Sequence, residues 1–462
     1  MLYTPSNYGR MFTGDDRAEM LDYLRSVLDV DAGRDRARKT ADSFLAFNHS
    51  PSKPLLQLAA EGIQRGDESI LVDEQRVAYS IVMQAVNRAR AAKRQTVIIV
   101  EGGPGSGKST LALSMLGDLV RQGIIVHHAT GSSTLTNTLR KVAGTRNPRI
   151  KALFKYFNSY VSASPLELDV LICDEAHRIR ETSVNRFTRR EARIKARKQV
   201  EELISAAWVS VFFIDESQIV RPGESGSVGS IMTAAEAAGC AIETIHLTGQ
   251  FRFGGSDTFE TWVQRLLSAG QPPAITWSQL TQGQDDEFRV VSASSPEDLE
   301  AWLRYQQEQR GGTARLTAGL CWPWSDPIDD EYGRRLVADV EIGNWRRPWN
   351  AKSGRHIIGV PDSYSWASDD RGFEQIGCIY TAQGFEYDWA GVIFGPDLVR
   401  RGDRWLARPE CSRDPAVEKV GETQFEALIL NTYKVLLTRG MRGVGVYSTD
   451  PETQAFLEAM AR

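Results

Sequence analysis

From residue 96 onward the chain alternates short apolar runs with longer stretches of helical spacing. The first runs are TVIIVE (96–101), IIVHHA (124–129), DVLICDE (169–175), VSVFFIDE (209–216) and AIETIHL (241–247). They are β-branched and continuous rather than alternating. That pattern predicts strands buried on both faces of a parallel sheet, with helices between them. Residues 66–250 therefore form one expected α/β domain. A second block repeats the alternation. Its expected strands are FRVVSA (288–293), ARLTAGLCW (314–322), IGCIY (376–380), WAGVIFG (389–395) and GVGVYS (443–448), with helices at 256–269, 296–310 and 423–437. Ten of the eleven tryptophans fall between Trp262 and Trp405, which supports a separate core and a second domain over 251–462. The stretch 323–375 is expected to be an irregular insertion. Residues 1–65 are polar, with helical spacing at 18–28 and a charge run at 34–39, and predict an N-terminal extension.

Composition narrows the classes. With 42% hydrophobic and 25% charged residues, a largely disordered chain is excluded. The balance of 55 Lys+Arg against 59 Asp+Glu, a net −4, excludes a polybasic coating protein but not a local basic patch. Five scattered cysteines without a CxxC pair argue against a zinc site or a disulfide scaffold and suit a reducing, cytoplasmic setting. Neither a signal peptide nor a membrane span is expected.

The strongest chemical signal is TVIIVEGGPGSGKST (96–110). An apolar strand runs into G-x-x-x-x-G-K-S, from Gly102 to Ser109, and then into a helix. Gly103, Pro104, Gly105, Ser106 and Gly107 would form a loop whose N–H groups turn around phosphate oxygens. Lys108 would reach the β- and γ-phosphates, Ser109 would meet Mg²⁺, and Thr110 completes the loop. The alternative is a glycine-rich turn with no ligand. In DVLICDEAH (169–177) a strand ends in two acids. Asp174 would hold Mg²⁺ through water and Glu175 would activate the attacking water. His177 could couple the γ-phosphate to its neighbours or be structural. In VSVFFIDESQI (209–219), Gln218 could sense the γ-phosphate, or simply be an exposed residue in a capped turn.

The order of these segments resembles a superfamily 1 helicase, and their detail resembles the Schlafen group 3-like DNA/RNA helicase domain. The matching segments are DEQRVAY (73–79), GGPGSGKST, CDEAHRI (173–179), FFIDESQ (212–218), LTGQFRFGGSDTFETW (247–262), ARLTAGLCWPWS (314–325), IYTAQGFEYDWAGVIFGPDL (379–398) and NTYKVLLTRGMRGVGVY (431–447). The resemblance implies an α/β chain with two RecA-like P-loop domains and with ATP and Mg²⁺ between them. It implies that Gln75 reads adenine, that Arg252 reaches the γ-phosphate from the second domain, and that Arg439 is an arginine finger. It places Gly384 and Glu386 near ribose and the nucleic-acid backbone, and Arg442 in the same nucleotide-binding set. Relatives often carry a nuclease-like N-terminal domain, so any nuclease is expected as a partner in trans.

Contacts to a strand are read more loosely. Ser132, Ser133, Thr134 and Thr136 could bond phosphates or merely mark a loop. The basic run RFTRREARIKARK (186–198) either lines a strand channel or is a solvated helix. Trp322, Trp324 and Trp349 could stack bases, with core packing the favoured reading. The expected function is an ATP-dependent helicase or translocase on single-stranded DNA or RNA, without a membrane partner. The alternative is an NTP-driven switch that signals to a protein partner, in defence against foreign nucleic acid. A small-molecule kinase shares the P-loop but not the arginine motifs of the second domain.

Overall fold

The computed structural model describes residues 22–23, 73–143, 147–184, 188, 190–247, 257–268, 272–282, 288–331, 333–352 and 357–462. Arg252 and nearly all of the N-terminal extension lie outside the described residues. Met1–Pro51 and Ser52–Arg462 are separate compact units, and both large sheets belong to the second.

Six strands make the first sheet: β1 (Thr96–Gly102), β2 (Val126–Thr130), β3 (Phe154–Tyr156), β4 (Leu168–Asp174), β5 (Ala207–Ile214) and β6 (Ala241–Leu247). Their order is β3-β2-β4-β5-β1-β6 and every pairing is parallel. The strand β1 shows why its apolar run is unbroken. Val97 and Ile99 enter one apolar layer and Ile98 and Val100 the other, all fully buried. Helices α1 (Asp73–Ala92) and α2 (Lys108–Arg121) cover one face through Ala78, Val82, Ala85 and Ala112, Leu116, Leu119, at the three-to-four spacing of a helix stripe. The other face is closed by Val200, Leu203, Ile204, Ile231 and Ala235. Since β5 lies between β1 and β4, the loops that leave β1, β4 and β5 share one edge, where open parallel sheets bind ligands.

The second sheet contains β7 (Arg289–Ser292), β8 (Ala314–Ala318), β13 (Ile376–Gly377), β14 (Tyr387–Phe394) and β17 (Gly440–Ser448), ordered β13-β8-β14-β17-β7 and again wholly parallel. The chain is therefore α/β with two RecA-like parallel sheets.

Some boundaries differ from those the sequence predicts. The stretch 323–375 is not wholly irregular, for β9 (Ile328–Asp330) pairs with β10 (Gly333–Arg335) and β11 (Val340–Ile342) with β12 (Trp345–Arg347). A third hairpin, β15 (Leu398–Arg401) with β16 (Arg404–Ala407), follows β14. The segment IGCIY is a strand only at its first two residues. The Cys378 N–H is diverted to the Asn350 side chain at 3.2 Å, and a helical turn starts at Ile379.

Candidate nucleotide and strand site

The P-loop is built by backbone geometry. Gly105 and Gly107 have φ of 89° and 76°, in the left-handed region that a side chain disfavours. Gly107 caps α2 without any side-chain bond, and no acidic residue occupies the first helical turn. No carboxylate of that turn therefore competes for the helix N-terminus, the ordinary seat of a phosphate. Lys108 Nζ donates to the carbonyls of Gly102 and Gly103, both at 2.6 Å, and lies 3.9 Å from Asp215 Oδ2.

Asp174 ends β4, with Oδ1 accepting the Glu175 N–H at 2.9 Å. Burial would push its carboxyl up, but His128, the Ser109 hydroxyl and that N–H outweigh burial and hold it below the ordinary range. Among the described residues its Oδ2 is buried without a hydrogen-bond partner, 3.5 Å from His128 Nε2. An ionised carboxylate with a spare oxygen beside Ser109 suits Mg²⁺, which takes one or two carboxylates together with substrate phosphates. The two predicted metal ligands are thus brought together. No cluster of three or more His, Cys, Asp or Glu side chains that could hold a metal occurs among the described residues.

Glu175 begins the next turn at φ 55°, a strained conformation for a residue with a side chain. Its Oε2 lies 2.8 Å from Arg178 Nε and 3.7 Å from His177 Nε2. Burial lowers the affinity of His177 for a proton, against the pull of Glu175, so its imidazole is neutral at physiological pH.

Asp215 links the P-loop to the second sheet. Its carboxylate accepts from Gln218 Nε2 at 2.8 Å. Gln218 Oε1 in turn accepts from Arg439 Nη2 at 3.1 Å, across 221 residues. Burial pushes the Asp215 carboxyl up, but Lys108, Gln218 and Ser217 hold it below the ordinary range. Arg439 follows α3 (Glu422–Leu437), is almost fully buried, and also bonds the Val435 carbonyl at 3.1 Å. Gln218 is therefore a buried bridge and not an exposed capping residue. Gln383, which no local sequence signal singles out, donates to the Gln218 carbonyl at 2.8 Å and lies 3.5 Å from His177 Nε2.

Beside this network lies a cavity of about 530 Å³ with walls from both halves. Ser132, Ser133, Thr134, Tyr156, Arg178, Arg180 and Arg221 come from the first, and Trp324, Lys352, Tyr380 and Thr381 from the second. Among the described residues the lining holds four cations and no carboxylate. Arg221 stacks on the Tyr380 ring at 3.5 Å. Of the three tryptophans named above, Trp324 lines the cavity. Trp349 is core, and Trp322 packs against Trp349 and donates to the Glu341 carbonyl. Thr136 is buried and bonds the Ser132 carbonyl at 2.8 Å.

Gln75 is buried in the first turn of α1. Gly384 has φ 95° and Glu386 is half-buried, both just before β14. Arg442 is not brought into the network. It is exposed, bonds the Arg310 carbonyl at 3.0 Å and lies over Trp389. Of the basic run, Arg190, Arg193, Arg197 and Lys198 are exposed and absent from the cavity lining, and 185–187 and Arg189 lie outside the described residues.

A model of the family described as Schlafen group 3, DNA/RNA helicase domain, matches residues 95–450. The uncharacterized protein YPL245W of Saccharomyces cerevisiae is 25% identical over 399 residues, covering 78% of this chain and 83% of that protein. Similar solved structures include the Pif1 helicase from Candida albicans, at 12% identity and TM-score 0.35, covering 85% of this chain and 97% of that one. AMPPCP-bound DnaA from Aquifex aeolicus has 15% identity and TM-score 0.23, with 42% and 52% covered. No helix among the described residues is long and apolar enough to cross a membrane.

Proposed function

Because the chain belongs to the Schlafen group 3 DNA/RNA helicase domain family, we propose that it is an ATP-dependent helicase or translocase on single-stranded DNA or RNA, hydrolysing ATP between its two sheets. The observation that carries this reading is the buried relay from Lys108 through Asp215 and Gln218 to Arg439. It joins the phosphate-binding loop of one sheet to an arginine of the other. A second-domain arginine that reaches the P-loop through a γ-phosphate sensor makes hydrolysis depend on how the halves sit.

In this reading Gln75 holds the adenine edge and Lys108 brings positive charge to the β- and γ-phosphates. Ser109 and Asp174 hold Mg²⁺, which supplies neutralisation of the charge that develops on the transferred phosphoryl group. Glu175 accepts the proton of the attacking water. Arg439, joined by Arg252, stabilises the transition state from the second domain. Gly384 and Glu386 lie toward ribose and strand. The two boundaries, 66–250 and 251–462, mark bodies that open and close about the cleft, and the basic cavity holds the strand.

One assay tests the reading: ATP turnover with and without single- and double-stranded DNA and RNA, on the wild type, Lys108→Ala and Glu175→Gln. Single strands should raise the wild-type rate severalfold. Lys108→Ala should lose nucleotide affinity, whereas Glu175→Gln should bind ATP and fail to hydrolyse it, a loss on the order of 10²–10⁴-fold. Turnover indifferent to every strand would favour the partner-coupled switch.

A further inference from the structure

The ion pair between Arg178 and Glu175 stands between the proposed catalytic base and the basic cavity. Arg178 is nine-tenths buried and forms part of the cavity wall, yet its Nε lies 2.8 Å from Glu175 Oε2. The pair is not a well-aligned hydrogen bond. Arg178 Nε, Arg178 Nη2 and Glu175 Oε2 all lack a hydrogen-bond partner among the described residues. Arg178 thus lines the cavity while its guanidinium keeps buried donors without a hydrogen-bond partner and an ionic partner at the base.

The backbone beneath it is fixed. The Ile179 carbonyl accepts from the N–H groups of Ser225 and Gly226, at 2.7 and 3.1 Å. Gly226 packs so closely that an added Cβ would lie 1.9 Å from the Ala176 carbonyl oxygen. On the other side Gly131 makes room for Arg178, since a Cβ there would lie 2.7 Å from the Arg178 Cβ. With the turn held on both sides, the freedom left to Arg178 is that of its side chain.

We propose that Arg178 is the positioning residue through which an occupied cavity controls hydrolysis: its guanidinium holds Glu175 until a strand phosphate takes it. While Arg178 Nε sits 2.8 Å from Glu175 Oε2, that oxygen is held away from a water that would approach it. A phosphate diester competes well for guanidinium, because the planar fork matches its oxygens. Seating a strand therefore frees Glu175 to act on water. The proposal rests on the reading of Glu175 as base and of the cavity as strand site, and it adds the link between them.

The experiment measures ATP turnover with and without saturating oligothymidylate or oligouridylate, on the wild type, Arg178→Gln, Arg178→Lys and Glu175→Gln, with thermal unfolding run on each. Arg178→Gln should raise the strand-free rate severalfold and reduce the stimulation ratio toward one. Arg178→Lys keeps the charge and should restore part of the low strand-free rate. A merely structural role would lower both rates together, keep the ratio and lower the unfolding temperature. An unchanged ratio in Arg178→Gln, on a wild type that strands stimulate and Glu175→Gln silences, overturns the proposal alone. A wild type indifferent to strands, or an active Glu175→Gln, overturns the underlying reading and the proposal with it.

Discussion

Asp174 and Asp215 are buried carboxylates that remain ionised because each has a partner, whereas His127 and His177 are largely buried and neutral. Burial, with help from Lys155, lowers His127 to about 4, and His177 is lowered mainly by burial. An unfolded chain takes up protons on both near the ordinary value of 6.5. The folded chain refuses them until lower pH, about 4 for His127. Between those limits the unfolded state binds more protons, so stability falls as pH falls. Asp174 and Asp215, held below their ordinary range, contribute stability that is present above the unfolded carboxylate value and is lost at still lower pH. The unfolding temperature should therefore decline from neutrality to about pH 5, ahead of carboxylate titration. His127→Gln should reduce the histidine-linked slope, since one of the two sites is gone. A denaturant-unfolding series across that range checks it, and an unchanged slope would refute the assignment to His127. At this scale the sequence was readable where chemistry is local. The loop Gly103–Ser109 and the pair Asp174–Glu175 announce themselves by spacing. His128, Arg178 and Gln383 do not, because their importance comes from register and distant partners: Thr130 pairs with Asp174 across β2 and β4, and Gln383 meets Gln218 across 165 residues.

Among elements, the turn after β4 is the one on which the site depends, and its packing against the loop at Ser225–Gly226 gives a sharp test. Gly226→Ala would drive a methyl into the Ala176 carbonyl, a backbone atom that cannot swing aside. Overpacking of this kind costs about 1–3 kcal/mol, and the displaced turn carries Glu175 and Arg178. Gly229→Ala, three residues on, meets nothing within 4 Å and lies in the helix Val228–Ala237, so it should be neutral or stabilise by up to about 1 kcal/mol. Equal unfolding free energies for the two variants would contradict the packing described. The same contrast explains which elements were legible. Long β-branched runs buried on both faces, such as β1, β4 and β5, are dictated by composition. The strand β3 and the hairpins β9 to β12 have three residues each, too few for any period to register, and they form only because neighbours supply their hydrogen bonds. The helical segments 296–310 and 423–437 were legible because their apolar spacing is long, and in the first of them capping agrees with pattern, with Ser295 and Pro296 opening it.

For the whole molecule, a net charge of −4 gives no general attraction to a polyanion, so the proposed strand binding requires a local concentration of cations. The cavity provides one from both halves: Arg180 from the first and Lys352 from the second. Arg221 is engaged with the Tyr380 ring and Arg178 with Glu175, which makes Arg180 and Lys352 the cleaner probes. Each neutralisation to Ala should weaken oligothymidylate binding and reduce the slope of log affinity against log salt by about one, because one fewer counterion is released. The double variant should lose about two. Lys352 is the informative member. It also faces Asp326, at 3.3 Å, so its release carries a small competing loss, yet among the described residues it is the cation that the second half presents to the cavity. If a strand touched the first half alone, Lys352→Ala would leave both affinity and slope unchanged. Arg190→Ala with Arg193→Ala serves as the comparison, since these exposed residues stand outside the cavity lining and should change the slope little. The reverse result, a slope set by Arg190 and Arg193 and indifferent to Arg180 and Lys352, would move the strand from the cleft to the basic run and separate binding from hydrolysis.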